Sequence, residues 1–370
     1  MSAQEEYAAR LKRVDAAVAL EKGDRVPLMP FARNYPYRRQ GHTVAEAMYD
    51  AEMAAGDMKR FALDFEPDLV VPYTVSLAGA GQVLEALGLR FLEWPGREGG
   101  ALKENAAIQI IEQTPLDEDG YEDLAETYLS LLPAFPGEDA AVAAYARRAA
   151  EFEREMAALG FPMAFSAATA PAYDVLSICL RGTLGLMMDL YTQEDEVQEA
   201  LALLCPLTVD FAARQAARWG GRFVYVPLMK GMEGYLGLAQ YEEFYFPTLK
   251  TLTEGLIARG LTPVLYAEGP YNDRMELLST LPRGVVFHMD SVDMARAKQV
   301  LGKEHCLSGG FYAYDLIHSN PGDIETYLKS LLDTVAVDGG YIFDFGDKLD
   351  EAEPRNIETM FRVLRDYGTY

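Results

Sequence analysis

The sequence predicts an α/β fold, namely a single (β/α)8 TIM barrel over residues 1–370. Three observations predict it: eight short apolar runs bounded by turn residues, amphipathic helical patterns between them, and a length that suits one large barrel. Strands that alternate with helices form a parallel sheet, and eight such units close into a barrel. An open doubly wound sheet is the alternative, but no GxGxxG motif follows any run.

The eight predicted strands share β-branched or aromatic residues between turn-forming residues. In chain order they are RVPLMP (25–30), DLVVPY (68–73), PMAFSA (162–167), RFVYVP (222–227), TPVLYA (262–267), GVVFHMD (284–290), HCLSGGF (305–311) and GYIFDFG (340–346).

The helices between these strands have recognisable ends. Thr43 and Glu46 form a capping box that opens a helix over 43–63. A second helix over 238–260 is predicted to kink at Pro247 and end at Gly260. The segments ETYLKSLLDTVAV and RNIETMFRVLRDYG supply the last two helices.

One connection is unusually long, because about 90 residues separate the second and third strands. Residues 95–160 are rich in Gly, Asp, Glu and Ala. Such a length exceeds one helix and its loops, so we expect an insertion that forms a lid over the barrel mouth.

The charge balance excludes several partners. The chain has 33 Lys and Arg against 57 Asp and Glu, a net charge of −24, which repels nucleic acid, anionic membranes and polyanionic substrates. Three cysteines are too few for a disulfide scaffold and fit a reducing compartment. The charged first residues do not resemble a signal peptide, and no apolar run reaches the ~18 residues of a membrane span. We therefore expect a cytoplasmic protein.

The candidate site residues follow from the fold, because active sites of such barrels lie at the carboxyl ends of the strands. The polar and aromatic side chains at these ends include Lys230 and Glu233 after strand four, and the candidates Arg33, Tyr37, Tyr73, Tyr266, Glu268, His288, Asp290, Asp344 and Asp347. Strand alternation puts Tyr266 and Glu268 on one face and His288 and Asp290 on one face.

Strands five and six are expected neighbours, so Glu268 and His288 can meet across the mouth. With Asp344 or Asp347 they would offer two carboxylates and an imidazole, a set that suits Zn²⁺ with one open position.

Each of these residues also has a structural interpretation. His288 can be a hydrogen-bonded structural residue, and Glu268 can cap the next helix or pair with Arg33. Asp290 is close to Asp293, and one of the two acids is expected to start a helix. The tyrosines Tyr35, Tyr37 and Tyr73 line an aromatic pocket or wedge loops together, and Cys306 is expected to be a packed thiol.

The order of motifs resembles the uroporphyrinogen decarboxylase superfamily, which also includes zinc- and corrinoid-dependent methyltransferases. The resemblance runs nearly end to end. It is carried by GDRVPLMPFARNYPYRRQG, AEMAAGDMKRFALDFEPDLVVPY, RGTLGLMMDLY, EEFYFPTLK, VDMARAKQVLG, the SGGF turn and EPRNIETM. It implies a (β/α)8 barrel.

The chain departs from the decarboxylase at important positions. Arg33 matches the first arginine of the family's first-strand motif, but Tyr37 takes the place of the second. Thr74 falls near the family's catalytic aspartate, and Asp347 near its histidine after strand eight. These changes remove groups that hold and decarboxylate a tetrapyrrole with many carboxylates.

The chain resembles the methyltransferase branch more closely in the positions of its candidate metal ligands. Tyr266 and Glu268 occupy the positions of its His-x-Cys zinc motif, and Asp344 or Asp347 that of its last cysteine. Because thiolate sites suit activation of a thiol, an oxygen-rich set favours an ether, alcohol or amine substrate.

The resemblance therefore implies a corrinoid-protein-dependent methyltransferase. It would move a methyl group between a small substrate, such as a methoxyaromatic compound in an O-demethylase reaction, and a cobalamin carried by a partner protein. Zinc held by Glu268, His288 and Asp344 or Asp347 would polarise the heteroatom, with Tyr37, Tyr73 and Tyr266 around the substrate. The sequence leaves the oligomeric state open, and a homodimer is one alternative.

Two alternatives remain. The first is a carboxy-lyase in which Arg33 binds the carboxylate of a smaller acid and Asp290 or Glu268 handles the proton. The second is a non-catalytic binder of tetrapyrroles or corrinoids.

Overall fold

The computed structural model describes residues 1–88, 92–116, 121, 124, 126–127, 140–345, 349 and 351–370. The strands of this part are β1 (Leu92–Glu93), β2 (Gln109–Ile110), β3 (Ala167–Ala168), β4 (Phe223–Leu228), β5 (Thr262–Ala267), β6 (Val286–Met289), β7 (Cys306–Gly309) and β8 (Tyr341–Ile342). Strands β1 and β2 pair antiparallel, and β3 to β8 form a parallel sheet in chain order.

Main-chain hydrogen bonds join two further segments to this sheet. Leu28 forms a parallel bridge with Phe343 next to β8, and Val70 forms one with Met163 before β3. The Leu28 carbonyl also accepts from the N–H groups of Asp68 and Leu69. These contacts connect eight segments in the order of a closed (β/α)8 barrel, and all eight fall within the predicted runs or directly beside them.

The α-helices of the described residues surround the sheet. They are α1 (Ala3–Val18), α2 (Tyr35–Arg39), α3 (Val44–Tyr49), α4 (Ala51–Phe65), α5 (Gly81–Ala86), α6 (Ala140–Ala158), α7 (Ala172–Val175), α8 (Thr183–Thr192), α9 (Glu194–Trp219), α10 (Leu238–Gln240), α11 (Phe246–Ile257), α12 (Met275–Leu278), α13 (Met294–Val300), α14 (Ala313–His318), α15 (Pro321–Val335) and α16 (Pro354–Tyr367). Short 3₁₀ turns lie at Tyr73–Ser76 and Asn272–Arg274, and π-helical turns at Leu176–Leu180 and Tyr241–Tyr245.

Two predicted helices are interrupted. Thr43 and Glu46 do form the predicted capping box, but the helix breaks at Asp50, whose side chain caps α4 by accepting from the Met53 N–H. The helix predicted to kink at Pro247 instead contains the π-helical turn Tyr241–Tyr245 just before it. Proline lacks the N–H that would continue the regular pattern, which explains why the change lies there.

The barrel interior is filled by side chains that point inward from alternate strand positions. Met29, Val264, Val286 and Cys306 belong to this buried cluster. Two residues of α1, Val14 and Ala17, join the same cluster, so the first helix covers the amino ends of the strands.

A buried ion cluster fixes this amino end. The carboxylate of Asp68 is fully buried, and the guanidinium groups of Arg13 and Arg25 both donate hydrogen bonds to it. It also accepts from the Leu28 N–H at 2.8 Å. Two cations and a main-chain donor together compensate the loss of water around the carboxylate.

Part of the long connection between the second and third strands lies outside the described residues. Its described parts include β2 and α6, and α6 packs against α1, α4 and α5 through buried Phe152 and Met156. The lid over the mouth at 95–160 stays a prediction.

In the part of the chain that the structure describes, one single helix, α9, is long and apolar enough to cross a membrane. It packs instead against β3 and α11, as a core helix does. The three cysteines are free thiols.

Candidate active site at the carboxyl ends of the strands

An aromatic layer lies at the carboxyl end of the barrel interior. The ring of Tyr266 packs edge-on against Phe31 at 5.7 Å, Phe165 at 6.3 Å and Tyr225 at 4.8 Å between ring centroids. His288 of the neighbouring strand lies flat on the same Tyr266 ring, with centroids 4.3 Å apart and planes 14° apart. The imidazole is therefore held in one orientation by packing.

The carboxylate of Asp344 completes this layer. It accepts hydrogen bonds from the Phe31 N–H at 2.9 Å, the Phe345 N–H at 2.7 Å and the Tyr266 hydroxyl. His288 Nδ1 lies 3.3 Å from Asp344 Oδ2, but the geometry is not that of a hydrogen bond. We call Tyr266, His288 and Asp344 the inner triad. All three side chains are buried.

Glu268 does not join the inner triad. The register sets His288 opposite Tyr266, so Glu268 lies two residues further toward solvent, and its side chain is exposed. The prediction that Glu268 and His288 face each other is therefore wrong. Strand alternation determines which face a side chain occupies, but it does not determine which residues of two strands lie opposite each other.

The predicted zinc ligands are only partly described. Asp347 lies outside the described residues. Within the described residues, no three His, Cys, Asp or Glu side chains are grouped closely enough to hold a metal ion. Glu268, His288 and Asp344 alone therefore do not form a zinc site, and zinc binding stays a prediction.

Asp290 lies at the rim, after β6. Its Oδ2 accepts from the Gly269 N–H at 3.3 Å, which joins the ends of two neighbouring strands. Asp293, not Asp290, caps the following helix by accepting from the N–H groups of Ala295 and Arg296. Asp290 thus has no helix-capping role.

Arg33 follows the first barrel segment and is half-buried. Its φ of 41° is in the left-handed region, which a side chain of this kind rarely adopts. The turn at Arg33 redirects the chain from the barrel into α2.

Tyr37 and Tyr73 do not share a pocket with Tyr266. Both are fully buried in the outer core, whereas Tyr266 belongs to the barrel interior. The Tyr73 ring packs edge-on against Phe152 of α6 at 5.1 Å, and burial raises the pKa of Tyr73 to about 12. The predicted substrate-binding tyrosines Tyr37, Tyr73 and Tyr266 are therefore divided between the outer core and the barrel interior.

Sequence reasoning missed one buried acid, Asp174, which lies on α7 after β3. Its Oδ1 accepts from the Lys230 N–H at 2.8 Å and its Oδ2 from the Tyr245 hydroxyl at 2.6 Å. Burial raises the pKa of Asp174 to about 7, and the nearby charge of Glu268 acts in the same direction. The signal was available in the sequence, since Asp174 follows the end of the predicted strand PMAFSA (162–167) by seven residues, and segments that follow such strands lie at the barrel mouth.

Lys230 connects three segments of the rim. Its Nζ donates to Glu112 Oε1 at 2.8 Å and to Thr183 Oγ1 at 2.9 Å. The Thr183 N–H donates to the other oxygen of Glu112 at 3.0 Å. These bonds hold the end of β2 and the start of α8 against the loop after β4.

The fold and the site define an α/β barrel protein with acid–base side chains at the carboxyl ends of its strands. The chain belongs to the uroporphyrinogen decarboxylase (URO-D) family, whose family model matches residues 10–367. That family has a TIM-barrel fold and includes decarboxylases and methyltransferases, so the predicted family and fold class are confirmed.

Among solved structures, a methyltransferase from Methanosarcina mazei is similar, with 16% identity and a TM-score of 0.71 over 96% of this chain and 98% of that chain. A 3-keto-D-glucoside 4-epimerase from E. coli is 12% identical over 60% of this chain and 82% of that chain, but its TM-score of 0.36 is too low to bear on function. The comparison with curated protein sequences gives no match.

Proposed function

We propose that the protein is a methyltransferase that moves a methyl group between a small methylated compound and a cobalamin carried by a partner corrinoid protein. The observation that carries this proposal is the inner triad, an oriented imidazole beside a buried carboxylate, at the end of the barrel where these folds bind substrates. The similarity of the fold to that of a methyltransferase also supports the proposal of methyl transfer.

Transfer from a methoxy or methylamino group needs a proton at the heteroatom. The bond between the methyl carbon and the heteroatom breaks, the methyl carbon bonds to cobalt(I), and the heteroatom keeps the electron pair of the broken bond. A residue that donates a proton to this heteroatom makes it a better leaving group. His288, oriented by stacking on the Tyr266 ring and close to the Asp344 carboxylate, is the residue that we assign to this step.

The aromatic layer around Tyr266 supports a small, uncharged substrate. Phe31, Phe165 and Tyr225 pack around Tyr266 and make this end of the barrel interior aromatic, which favours an aromatic or methylated group over a charged one. The acids Glu268 and Asp290 at the rim and the net charge of −24 disfavour a substrate with many carboxylates. A methoxyaromatic compound fits both features.

Zinc binding by Glu268, His288 and Asp344 or Asp347 stays a separate prediction, because Asp347 lies outside the described residues. Since the described members of this set do not converge on one point, no step of the reaction is assigned to the metal. Metal analysis of the purified protein, before and after dialysis against a chelator, tests zinc binding independently of activity.

The proposed reaction is tested with free cob(I)alamin. The purified protein is mixed with cob(I)alamin and, one at a time, methoxyaromatic compounds, methanol and methylamines, and formation of methylcobalamin is followed by absorbance. Release of CO₂ from small carboxylic acids is measured in parallel. Methylcobalamin formation is expected, and CO₂ release without it would show the lyase instead.

Two tyrosine variants test the role of the inner triad. Tyr266→Phe removes the hydroxyl that binds Asp344, whereas Tyr341→Phe removes an equally buried hydroxyl that donates to the Gly309 carbonyl. Each loses about 1 kcal/mol of stability. Only Tyr266→Phe is expected to slow methyl transfer, by about tenfold to a hundredfold. Equal rates in the two variants would contradict this assignment.

A further inference from the structure

Helix α8 exposes an apolar face near the barrel mouth. Leu184, Met188 and Tyr191 recur at intervals of four and three residues, so they lie on one side of the helix. Their exposed fractions are 77, 58 and 79%. Large apolar side chains grouped on a protein surface mark sites of interaction with other molecules.

Two other segments extend this face. Gln240 donates a 2.8 Å hydrogen bond to the Tyr191 hydroxyl, which holds α10 and its exposed Leu238 beside α8. On the other side, Glu112 accepts from the Thr183 N–H and brings the end of β2 to the start of α8. We call the combined surface the apolar rim; its members, between 38 and 79% exposed, are Ile110, Ile111, Leu184, Met188, Tyr191 and Leu238.

The apolar rim belongs to the carboxyl end of the barrel. Lys230 follows β4 directly, and its ammonium group binds both Glu112 and Thr183. A molecule that covers the apolar rim therefore lies at the same end of the barrel as the inner triad.

The apolar rim has an acidic flank. Glu194, three residues after Tyr191, lies against Glu243, which follows Gln240 by three residues, and both side chains are exposed. The negative charge of Glu243 raises the pKa of Glu194. Two carboxylates in contact repel each other, and a cation between them would relieve that repulsion.

We propose that the apolar rim and the Glu194–Glu243 pair dock a partner protein whose contact surface is apolar and is flanked by lysines or arginines, namely the protein that carries the corrinoid. This assignment of the partner rests on the proposed function. A second copy of this chain fits less well, because two copies each carry a net charge of −24 and a symmetric contact would bring acids against acids.

Direct binding tests the docking surface without reference to catalysis. The probe is a purified corrinoid protein from the same organism, loaded with hydroxocobalamin and labelled for fluorescence anisotropy. The double variant Leu184→Glu/Met188→Glu is expected to bind it with a Kd about tenfold or more above that of the wild type. The matched control Val337→Glu changes a residue of similar exposure, 52%, before β8 at the opposite end of the barrel, and leaves the Kd unchanged.

A charge variant tests the acidic flank. Glu243→Lys is expected to weaken binding and to reduce its dependence on salt, whereas Glu358→Lys, at an exposed position of α16, leaves both unchanged. The proposal is overturned if the wild type does not bind the probe or if the rim variants bind it as tightly as the wild type. It is also overturned if sedimentation shows a dimer of this chain that Met188→Glu dissociates.

Methyl transfer to free cob(I)alamin separates the two proposals. It needs no docked protein, so the rim variants are expected to retain it. Transfer to free cob(I)alamin without binding of the probe would contradict the docking surface alone. Binding that depends on the rim, without transfer to any corrinoid, would contradict the proposed function and retain the surface as a protein-binding site.

Discussion

The Tyr245 hydroxyl donates a 2.6 Å hydrogen bond to Asp174 Oδ2, and neither side chain is exposed to solvent. The other carboxylate oxygen accepts from the Lys230 N–H, so both oxygens of this acid are engaged. Burial nevertheless outweighs these bonds and raises the pKa of Asp174 to about 7. This acid takes up or releases a proton near neutral pH at the mouth of the barrel.

The first prediction concerns the pH dependence of stability. Between the ordinary pKa of 3.8 and about 7, folded Asp174 keeps a proton that the unfolded chain releases. The free energy of unfolding therefore falls as pH rises through this window. Asp174→Asn removes the ionisable group and with it this fall in the free energy of unfolding. Urea unfolding at a series of pH values measures the difference. Asp366→Asn, which changes an exposed carboxylate, should retain the wild-type dependence; identical profiles for all three proteins would contradict the prediction.

The second prediction concerns the ion cluster at the amino end. Asp68→Ala leaves Arg13 and Arg25 without their buried partner, and we expect a loss of about 3 to 5 kcal/mol in the free energy of unfolding. Asp24 also binds Arg13, but its side chain is 68% exposed, and Asp24→Ala should cost less than about 1 kcal/mol. Chemical denaturation of both variants measures the difference. Similar losses in the two variants would mean that the burial of Asp68 does not strengthen its contribution to the free energy of unfolding.

The third prediction concerns the attachment of β2 to the rim. Lys230→Met removes the bonds to Glu112 and Thr183, and it should lower stability by about 1 to 3 kcal/mol. Local opening of residues 92–116 should become easier, so limited proteolysis will cut this segment faster than in the wild type. Lys250→Met is the control, since Lys250 is 49% exposed and lies 3.9 Å from Glu254. Unchanged cleavage in Lys230→Met would contradict the prediction.

The fourth prediction concerns the thiols. Burial raises the pKa of Cys179 and of Cys205 to about 11, and it raises that of Cys306 further. Because thiolate is the reactive form, the folded protein should react very slowly with a thiol reagent at neutral pH. All three thiols should react after unfolding in urea. Rapid labelling of Cys306 in the folded protein would be the contrary result.

The barrel strands could be predicted because their signal is local. Runs such as TPVLYA and GVVFHMD combine apolar and β-branched residues between turns, and both contain strands of the parallel sheet. Alternation placed Tyr266 and Glu268 on one face of the strand, and the structure adds that Tyr266 lies in the barrel interior, where it contacts Asp344 from the eighth segment. Periodicity fixes which face a side chain occupies, whatever its distant neighbours are.

The site depends on information that local patterns do not contain. The pairing of Tyr266 with His288, in place of Glu268 with His288, depends on the register between strands. The position of Tyr73 in the outer core depends on where α6 packs. The proton affinity of Asp174 depends on burial by residues such as Tyr245, 71 positions away in the chain.

Helix α1 has a consequence for the order of events in catalysis. Val14 and Ala17 cover the amino ends of the strands, so molecules reach the inner triad from the carboxyl end. In the proposed reaction, the small methyl donor and the corrinoid protein then share one entrance. A docked macromolecule would block the path of the small compound, which leads to a compulsory order with the small substrate first. In steady-state kinetics, the corrinoid protein at high concentration should therefore inhibit competitively against the methyl donor.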